Sequence, residues 1–309
     1  MNKAYTISAS ENWVCDRFLE EWNAHNQDLT STDISICNTV WLIAGWVWNR
    51  VPLDILKSKR VILTIHHIVP EKFSKSKKEE FIIRDQFVDL YHVPCNKTRD
   101  QISSLTSKPI HVIPFWANQN LWFPINEKEK IREKYKIDKD SYLIGSFQRD
   151  TEGSDLVSPK LEKGPDLFCD YVEKISKEKE NVKVLLSGWR RQYVISRLER
   201  SNIDYYYLEL PSFKIINELY NSLDLYAVTA RHEGGPQSII ECALSQTPIV
   251  STDVGIASSI LSSGSIFNDS WQAIPNVNIA YENVQKITIP RGFKNFREMI
   301  LGDSQDNVR

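Results

Sequence analysis

The chain has 309 residues, 41% of them hydrophobic, which is enough for two domains with sizeable buried cores. Its formal net charge of −2 excludes the strongly basic character of a general nucleic-acid binder. The five cysteines lie far apart without a CxxC pair, which argues against a zinc site or a disulfide framework and favours a reducing compartment.

No membrane or export segment is predicted. The opening residues MNKAYTISASENW lack the apolar centre of a secretory signal. The longest apolar run, Val40 to Trp48, is far shorter than the roughly 20 residues of a membrane-spanning helix. We therefore expect a cytoplasmic protein. The stretch EKFSKSKKEEF at 71–81 mixes both charge signs and predicts a solvated helix face, while a peripheral contact with anionic lipid at the inner membrane face stays open.

Strands and helices alternate through the first 118 residues. Strands are predicted at 4–10, 33–39, 60–68, 88–95 and 111–115, and helices at 11–25, 41–56, 74–86 and 97–105. This alternation indicates a parallel sheet with helices on both faces. The next stretch, PFWANQNLWFPINEKEK at 114–130, has two prolines and no clear period, and we interpret it as an interdomain connection.

The same alternation restarts after this connection. Strands are predicted at 141–148, 182–188, 204–210, 223–230 and 247–253, and helices at 164–179, 190–200, 215–223, from Pro236 onward and at 293–301. The hypothesis is an α/β protein of two Rossmann-like parallel-sheet domains that face each other across a cleft. We expect an N-terminal domain at 1–118, a C-terminal domain at 119–290, and a C-terminal helix within 291–309 that can pack back on the first domain. Ligands in such sheets bind at the carboxyl ends of the strands.

The stretch HEGGPQSIIECALSQTPIVSTDVG, from His232 to Gly255, holds the most informative pattern. Gly234 and Gly235 leave the backbone bare before Pro236, which suits the first position of a helix. The free N–H groups at such a helix start favour an anion or a set of hydroxyls. Glu241 would lie about 7.5 Å further along the axis and lean back toward the same place.

A carboxylate can accept hydrogen bonds from two adjacent sugar hydroxyls. Glu233 and Glu241 therefore suit the two ends of a nucleotide sugar, with the diphosphate between them. Two glutamates eight residues apart are common, so the spacing alone also fits a solvated helix. The flanking Gly-Gly-Pro and the preceding strand favour a binding site.

RHEGGPQSIIECALSQTPIVSTDVG resembles the E-x7-E signature of the retaining GT-B glycosyltransferases of family four. YLIGSFQRD with LEKGPDLF resembles the strand, arginine and Lys-Gly segment of that family, and VKVLLSG its next strand and glycine turn. PSFKIINELYNSLDLYAVTAR resembles the segment before the signature. VILTIHHIVP and HVIPFWANQNLWFP resemble its strand with a terminal histidine and its proline-led linker.

The resemblance implies a role for each matching residue. Arg149 and Lys163 would hold the donor diphosphate, whose negative charge grows as the sugar departs. Glu241 would bind the ribose and Glu233 the transferred sugar. The residues expected beside them are Gly234, Gly235, Pro236 and Gln237 at the sugar or phosphate, and Gly188, Leu210 and Pro211 near the base.

Several features of the chain depart from the family pattern. The segment 150–162 between the two cations is long; it is either a surface loop or part of the donor pocket, with Lys160 as a substitute for Lys163. His66 matches the family histidine that contacts the donor sugar, but His67 stands where the usual acid would be. The first domain is short and its single glycine is Gly45, so residues 8–12 replace the usual glycine-rich loop.

The acceptor side has weaker signals. Ser10 could cap the following helix, and N–H groups of its loop could meet a phosphate or an acceptor. Tryptophan faces suit sugar stacking but more often pack in cores, which leaves both roles open for those of the first domain. Five tryptophans of this domain are considered for stacking: Trp13, Trp41, Trp46, Trp48 and Trp116.

The expected function is retaining transfer of a hexose-type sugar from a UDP- or GDP-type donor to a glycan or lipid-linked acceptor. Its frequent setting in the family is surface polysaccharide synthesis. The family mechanism needs no protein nucleophile, and we expect neither an essential metal nor another cofactor. The alternatives are a nucleotide-sugar epimerase or hydrolase of the same fold, and a non-catalytic protein that binds a nucleotide sugar. A dehydrogenase is disfavoured because no GxGxxG turn follows the first strand.

Overall fold

The computed structural model describes residues 3–11 and 14–302, and the chain forms two compact units. The first contains the chain up to Trp116 together with the segment from Ile289 onward, and the second contains Ala117–Thr288. Each unit is built on one parallel sheet flanked by helices, which confirms the predicted α/β class. No helix within the described ranges is both long and apolar enough to cross a membrane.

The sheet of the first unit has the strand order β2-β1-β3-β4-β5-β6. Its strands are β1 Ala4–Ile7, β2 Thr30–Ser31, β3 Thr39–Leu42, β4 Arg60–Thr64, β5 Leu90–Val93 and β6 Ile110–Val112. Its helices, up to the boundary, are α1 Val14–His25, α2 Leu53–Ser58, α3 Lys75–Asp85 and α4 Asn96–Ile102. All pairs are parallel, so every carboxyl end lies at the same edge.

Two elements of this unit differ from the prediction. The segment 33–39 is mainly a short 3-10 turn at Ile34–Ile36, not a strand. The segment 41–56, predicted as helical, contributes the end of β3, a 3-10 turn at Gly45–Arg50 and the start of α2. All four residues of β3 are buried, and a fully buried strand between two others gives an apolar run without alternation. Such a run has the composition of a buried helix, which explains the error.

The second unit has the strand order β11-β10-β7-β8-β9. The strands are β7 Tyr142–Ser146, β8 Val182–Ser187, β9 Tyr205–Leu208, β10 Leu225–Val228 and β11 Ile249–Ser251. The helices are α5 Lys128–Lys134, α6 Pro165–Glu178, α7 Gln192–Arg200, α8 Phe213–Ser222, α9 Gln237–Ser245, α10 Ala257–Ile260 and α11 Val277–Val284. The chain starts at β7, proceeds outward to β9, and returns to the other side of β7 with β10. Helix α5 begins in the last residues of the region that the sequence analysis interpreted as an irregular connection, and it continues beyond that region.

The C-terminal helix α12, Lys294–Leu301, belongs to the first unit. Its Phe296 is fully buried and contacts Trp41 at 5.5 Å and Trp116 at 5.1 Å between ring centroids. Arg60 Nη1 donates to the carbonyl oxygens of Met299 and Ile300 at 2.9 and 3.1 Å. The end of the chain therefore completes the core of the first unit.

Candidate active site

The strand order of the second unit creates a natural binding position. Connections leave β7 toward β8 and return on the opposite side at β10, so the loops after β7 and β10 diverge at the carboxyl edge. In open parallel sheets, ligands bind at this topological switch point. The loop after β7 carries Arg149, and the loop after β10 carries Glu233.

Lys163 is brought to this switch point by a tight turn. Residues Leu161–Lys163 form a 3-10 turn that ends at Gly164, which has φ +62°. A Cβ atom at Gly164 would lie 1.8 Å from the Thr229 carbonyl oxygen, so only glycine allows this close approach to the end of β10. Thr229 Oγ1 donates to the Gly164 carbonyl oxygen at 2.7 Å.

Further hydrogen bonds join the turn to the loop after β10. The Glu162 carbonyl oxygen accepts from the backbone N–H groups of Arg231 and His232 at 2.9 and 3.1 Å. The Arg231 guanidinium donates to both carboxylate oxygens of Asp166 at 2.7 and 2.6 Å, in α6. As a result, the Lys163 ammonium donates directly to Glu233 Oε1. Two residues predicted from separate motifs are therefore in contact.

Lys163 lies among other charges. Burial, with the positive charge of Lys160, lowers the pKa of Lys163 to about 7, although Glu162 opposes this shift. Like Glu162, the contacting carboxylate of Glu233 opposes this lowering, because it favours the ammonium form. Lys160 Nζ lies 3.7 Å from Glu162 Oε1, whereas Lys163 contacts Glu233. Lys163 is therefore the better placed of the two lysines.

Arg149 follows β7 and is tied to the same turn through its neighbour. Gln148 Nε2 donates to the Lys163 carbonyl oxygen at 2.9 Å. Arg149 Nε donates to the Thr151 carbonyl oxygen at 2.7 Å, and its guanidinium carbon lies 5.7 Å from the ring centre of Trp189. The end of β7, the lysine turn and the loop after β10 thus form one connected edge.

Glu241 lies in α9 and is 9% exposed. Tyr220 donates its hydroxyl to Glu241 Oε2 at 2.8 Å, and burial raises the pKa of Tyr220 well above its ordinary value, which keeps the phenol a donor. Pro236, which was predicted as the first helical residue, instead directly precedes α9. The helix therefore begins at Gln237, one residue later than predicted.

The glycine loop before α9 is fixed by the loop after β11. Gly255 has φ +54°, and a Cβ atom there would lie 2.3 Å from the Gly234 carbonyl oxygen. Gln237 Nε2 donates to the Gly235 carbonyl oxygen at 3.3 Å. The loop therefore has a defined position next to Glu233.

The other residues predicted to contact the nucleotide-sugar donor follow the carboxyl ends of β8 and β9. Gly188 has φ +89° and its carbonyl oxygen accepts from the Tyr207 hydroxyl at 3.0 Å. Leu210 is 59% exposed and is followed by Pro211. Both positions lie at the same sheet edge as Arg149 and Glu233, further toward its β9 side.

The segment 150–162 contains a hairpin with an exposed tip. Thr151 and Pro159 form an antiparallel bridge, and Glu152 N–H donates to the Ser158 carbonyl oxygen at 3.0 Å. At its base, the buried Asp150 carboxylate accepts from Arg191 Nε at 2.9 Å. The segment is therefore a hairpin anchored between the ends of β7 and β8, and Leu156 and Val157 are exposed at its tip.

His66 follows β4 in the first unit. Its Nε2 lies 3.0 Å from the Ile43 carbonyl oxygen and 3.6 Å from Cys15 Sγ, and its ring stacks on Phe115 at 5.6 Å. Burial raises the pKa of the Cys15 thiol to about 12, so this pair is not an activated nucleophile.

The loop after β1 differs from the expectation. The backbone N–H groups of Ser10 and Glu11 donate to the carboxylate of Asp16 at 3.0 and 2.7 Å. Because the chain's own carboxylate accepts from these groups, their predicted role toward a phosphate is wrong. The sequence signal for this contact was Asp16 in the first turn of α1, where acidic side chains commonly accept from backbone N–H groups.

The tryptophans considered for stacking differ in burial. Trp41 and Trp116 are buried in the core, so a stacking role for them is wrong. Trp46 is 49% exposed and Trp48 is partly buried. Trp13 lies outside the described residues.

A cavity of about 840 Å³ lies at the amino ends of the second sheet. It is lined by residues 124–130, 220–221, 223–224 and 245–248, and none of the predicted site residues lines it. Within the described ranges, no three His, Cys, Asp or Glu side chains are grouped closely enough to hold a metal ion.

Comparisons with known proteins support the fold class. Residues 156–279 match the family model described as glycosyl transferases group 1. HepE of Anabaena, solved with UDP and glucose, aligns with a TM-score of 0.70 at 14% identity over 97% of this chain and 95% of its own. The fold is GT-B.

Two further solved structures resemble the chain. Sucrose-phosphate synthase of Thermosynechococcus elongatus aligns with a TM-score of 0.59 at 14% identity, over 92% of this chain and 71% of its own. The pneumococcal O-GlcNAc transferase GtfA, in complex with UDP and GlcNAc, aligns with a TM-score of 0.59 at 13% identity, over 86% of this chain and 57% of its own. The comparison with curated proteins found no match.

Proposed function

We propose that the chain is a retaining glycosyltransferase that moves a hexose-type sugar from a nucleoside diphosphate donor to a glycan or lipid-linked acceptor. The observation that carries the proposal is the direct contact of Lys163 with Glu233 at the switch point. It brings a phosphate-binding cation and a hydroxyl-binding carboxylate to adjacent positions, as the diphosphate and the sugar of one donor require.

Each side chain has a defined task in this proposal. Arg149 and Lys163 bind the diphosphate and stabilise the charge that develops on it as the bond to the sugar breaks. Glu233 accepts hydrogen bonds from sugar hydroxyls, and Glu241, oriented by Tyr220, accepts from the ribose. Gly234, Gly235 and Gln237 border the sugar or phosphate, while Gly188, Leu210 and Pro211 border the base.

Transfer with retention needs no protein nucleophile. The bond between the anomeric carbon and the phosphate oxygen breaks, and its electron pair stays on the diphosphate. The acceptor hydroxyl attacks from the same face and passes its proton to a phosphate oxygen of the leaving group.

The choice of donor follows the similar structures. HepE was solved with UDP, with UDP and glucose, and with UDP-glucose, and GtfA with UDP and GlcNAc. We therefore propose a UDP-type donor first and a GDP-type donor second. We also propose a cytoplasmic location, since the five buried free thiols fit a reducing compartment. A role in surface polysaccharide synthesis is the further proposal that the family resemblance supports.

Thermal unfolding with UDP, GDP and ADP tests the donor assignment. A ligand that binds only the folded state raises the melting temperature, so one nucleoside diphosphate should stabilise the wild type. Lys163→Ala and Glu241→Ala should remove both that response and transfer. Lys130→Ala is the matched control, since its exposed ammonium pairs with Glu127 at the amino ends of the strands, away from the candidate site. A flat response of the wild type to all three nucleotides contradicts the proposal.

Product analysis separates transfer from the alternative reactions. Incubation of the donor with acceptor should give a glycoside with the anomeric configuration of the donor, as read by NMR coupling constants. Free sugar or an epimer formed equally well without acceptor would instead identify a hydrolase or an epimerase.

A further inference from the structure

The segment after β8 presents an unusual backbone. Gly188 has φ +89° and Arg190 has φ +62°, so Trp189 lies between two residues in the left-handed region. A long side chain such as arginine rarely adopts this conformation, and non-glycine residues that do so cluster at functional sites. Trp189 itself is 53% exposed, so this backbone holds a large aromatic ring at the carboxyl edge of the sheet.

The side chain of Arg190 is buried but poorly satisfied. It is 8% exposed, and Nη2 donates to the Gly153 carbonyl oxygen of the hairpin. Its Nε is buried and has no hydrogen-bond partner among the described residues. A buried charged donor without an acceptor costs free energy, so an anion bound at this edge would stabilise Arg190 by accepting from Nε.

The neighbouring Arg191 has a purely structural role, and its hydrogen bonds differ from those of Arg190. Arg191 is fully buried, and its guanidinium donates to the Asp150 carboxylate, to the carbonyl oxygens of Ser146 and Ser187, and to Ser146 Oγ. Arg191 therefore has an anionic partner within the chain, whereas Arg190 has a single carbonyl oxygen. The same short segment holds one arginine for the fold and one that is available to an anion.

Arg190 lies beside the proposed diphosphate cation Arg149. Both guanidinium carbons approach the Trp189 ring, at 5.4 Å for Arg190 and 5.7 Å for Arg149. The Asp150 N–H, directly after Arg149, donates to the Arg190 carbonyl oxygen at 3.1 Å. Burial and then the charge of Arg190 lower the pKa of Arg149, although Glu152 and Glu162 act in the opposite direction. Two cations held this close repel each other until an anion binds both.

We propose that Arg190 is a third cation for the donor diphosphate, and that Trp189 holds Arg190 and Arg149 on one ring to receive it. This inference rests on the proposed function and adds a residue that the resemblance did not supply. A diphosphate provides the acceptor that Nε lacks and neutralises the paired guanidinium groups.

The competing interpretation is that Arg190 only anchors the hairpin through Gly153. The two roles differ in what a substitution changes. An anchoring residue affects stability and every ligand alike, whereas a diphosphate-binding residue affects phosphate-bearing ligands and leaves the bare nucleoside unchanged.

The test measures binding by calorimetry to wild type, Arg190→Gly, Arg190→Lys and the control Arg200→Gln, an exposed arginine of α7. The probes are UDP, GDP, ADP, inorganic pyrophosphate and the nucleoside of whichever diphosphate binds the wild type. Arg190→Gly suits the left-handed backbone, so it should keep the fold while it removes the guanidinium.

Arg190→Gly should weaken the nucleoside diphosphate and pyrophosphate by about tenfold or more, because a charge-assisted hydrogen bond is lost. Arg190→Lys should fall between Arg190→Gly and the wild type, while the control and nucleoside binding should stay unchanged. Equal diphosphate affinity in Arg190→Gly and wild type, with an unchanged melting temperature, overturns this inference alone. If the wild type binds pyrophosphate through Arg190 but no nucleoside diphosphate, the anion site stands and the proposed function fails. No binding of any of these probes overturns both.

Discussion

At the scale of single residues, the protonation of Lys163 decides how the candidate site responds to pH. Burial, with the charge of Lys160, lowers the pKa of this lysine to about 7, so its ammonium form is half populated near that pH, predominates below it and declines above it. An anionic diphosphate requires the ammonium, and its affinity should therefore fall as pH rises from 6 to 9, by at most about tenfold per unit.

Lys163→Arg is the matched variant for this prediction, because a guanidinium stays charged over the whole range. The ratio of wild-type to variant dissociation constants, measured by calorimetry, cancels the ionisation of the nucleotide itself and should rise with pH. A ratio that does not change from pH 6 to 9 would mean that the carboxylate of Glu233 keeps the lysine charged.

The hydroxyl of Tyr220 gives a second prediction at this scale. It is the donor that satisfies one oxygen of the buried Glu241 carboxylate. Tyr220→Phe keeps the ring and removes this bond, so the free energy of unfolding in urea should fall by about 1–3 kcal/mol. Tyr281→Phe, on the partly exposed face of α11, is the control and should change stability by less than about 0.5 kcal/mol. Equal stability of wild type and Tyr220→Phe would show that Glu241 does not depend on this donor.

At the scale of elements, the hairpin 151–159 and strands β7 and β8 depend on one buried ion pair. Asp150 and Arg191 are 1% exposed each, and the pair joins the ends of both strands. Burial raises the pKa of Asp150 despite its partner, which reflects the cost of a charge in this place. Removal of the carboxylate leaves a buried guanidinium unpaired, so Asp150→Ala should cost about 3–5 kcal/mol of unfolding free energy.

Asp269→Ala is the control for this prediction, since Asp269 is an exposed aspartate of the same unit. Both variants are compared by denaturant unfolding. If Asp150→Ala unfolds at the same denaturant concentration as the control, the ion pair does not hold the strand ends.

Local patterns predicted the elements that have clear periods or turn residues. The Lys-Gly turn before α6 lies at the switch point, because only glycine at position 164 allows the close approach to the Thr229 backbone. The Gly-Gly-Pro before α9 lies at the same switch point, against the loop that contains Gly255. The buried strand β3 was mistaken for helix because its surroundings, rather than its own alternation, make it a strand. Arg190 and Tyr220 could not be predicted, since their roles depend on neighbours that are distant in sequence.

At the scale of the whole molecule, a buried histidine in the core of the first unit makes the free energy of unfolding depend on pH. His92 is fully buried and lies between two partners, Thr64 Oγ1 at 3.0 Å from Nδ1 and the Ile113 carbonyl oxygen at 2.8 Å from Nε2. The carbonyl requires the proton on Nε2, and Trp41 Nε1 donates to Thr64 Oγ1, which directs the hydroxyl proton to Nδ1. The neutral ring thus satisfies every partner, and a second ring proton would break this chain of hydrogen bonds.

Burial lowers the pKa of His92 to about 3, against 6.5 for an unperturbed histidine. Since the folded pKa is the lower one, this group contributes its full stability above pH 6.5 and loses it as the pH falls toward 3. The loss should be about 1.4 kcal/mol for each pH unit over that range. His92→Gln should show a shallower decline of unfolding free energy from pH 6.5 to 4.5, whatever its stability at neutral pH. His25→Gln, an exposed histidine at the end of α1, should keep the wild-type slope. Parallel curves for wild type and His92→Gln, measured by denaturant unfolding at each pH, would mean that carboxylates alone account for the acid sensitivity.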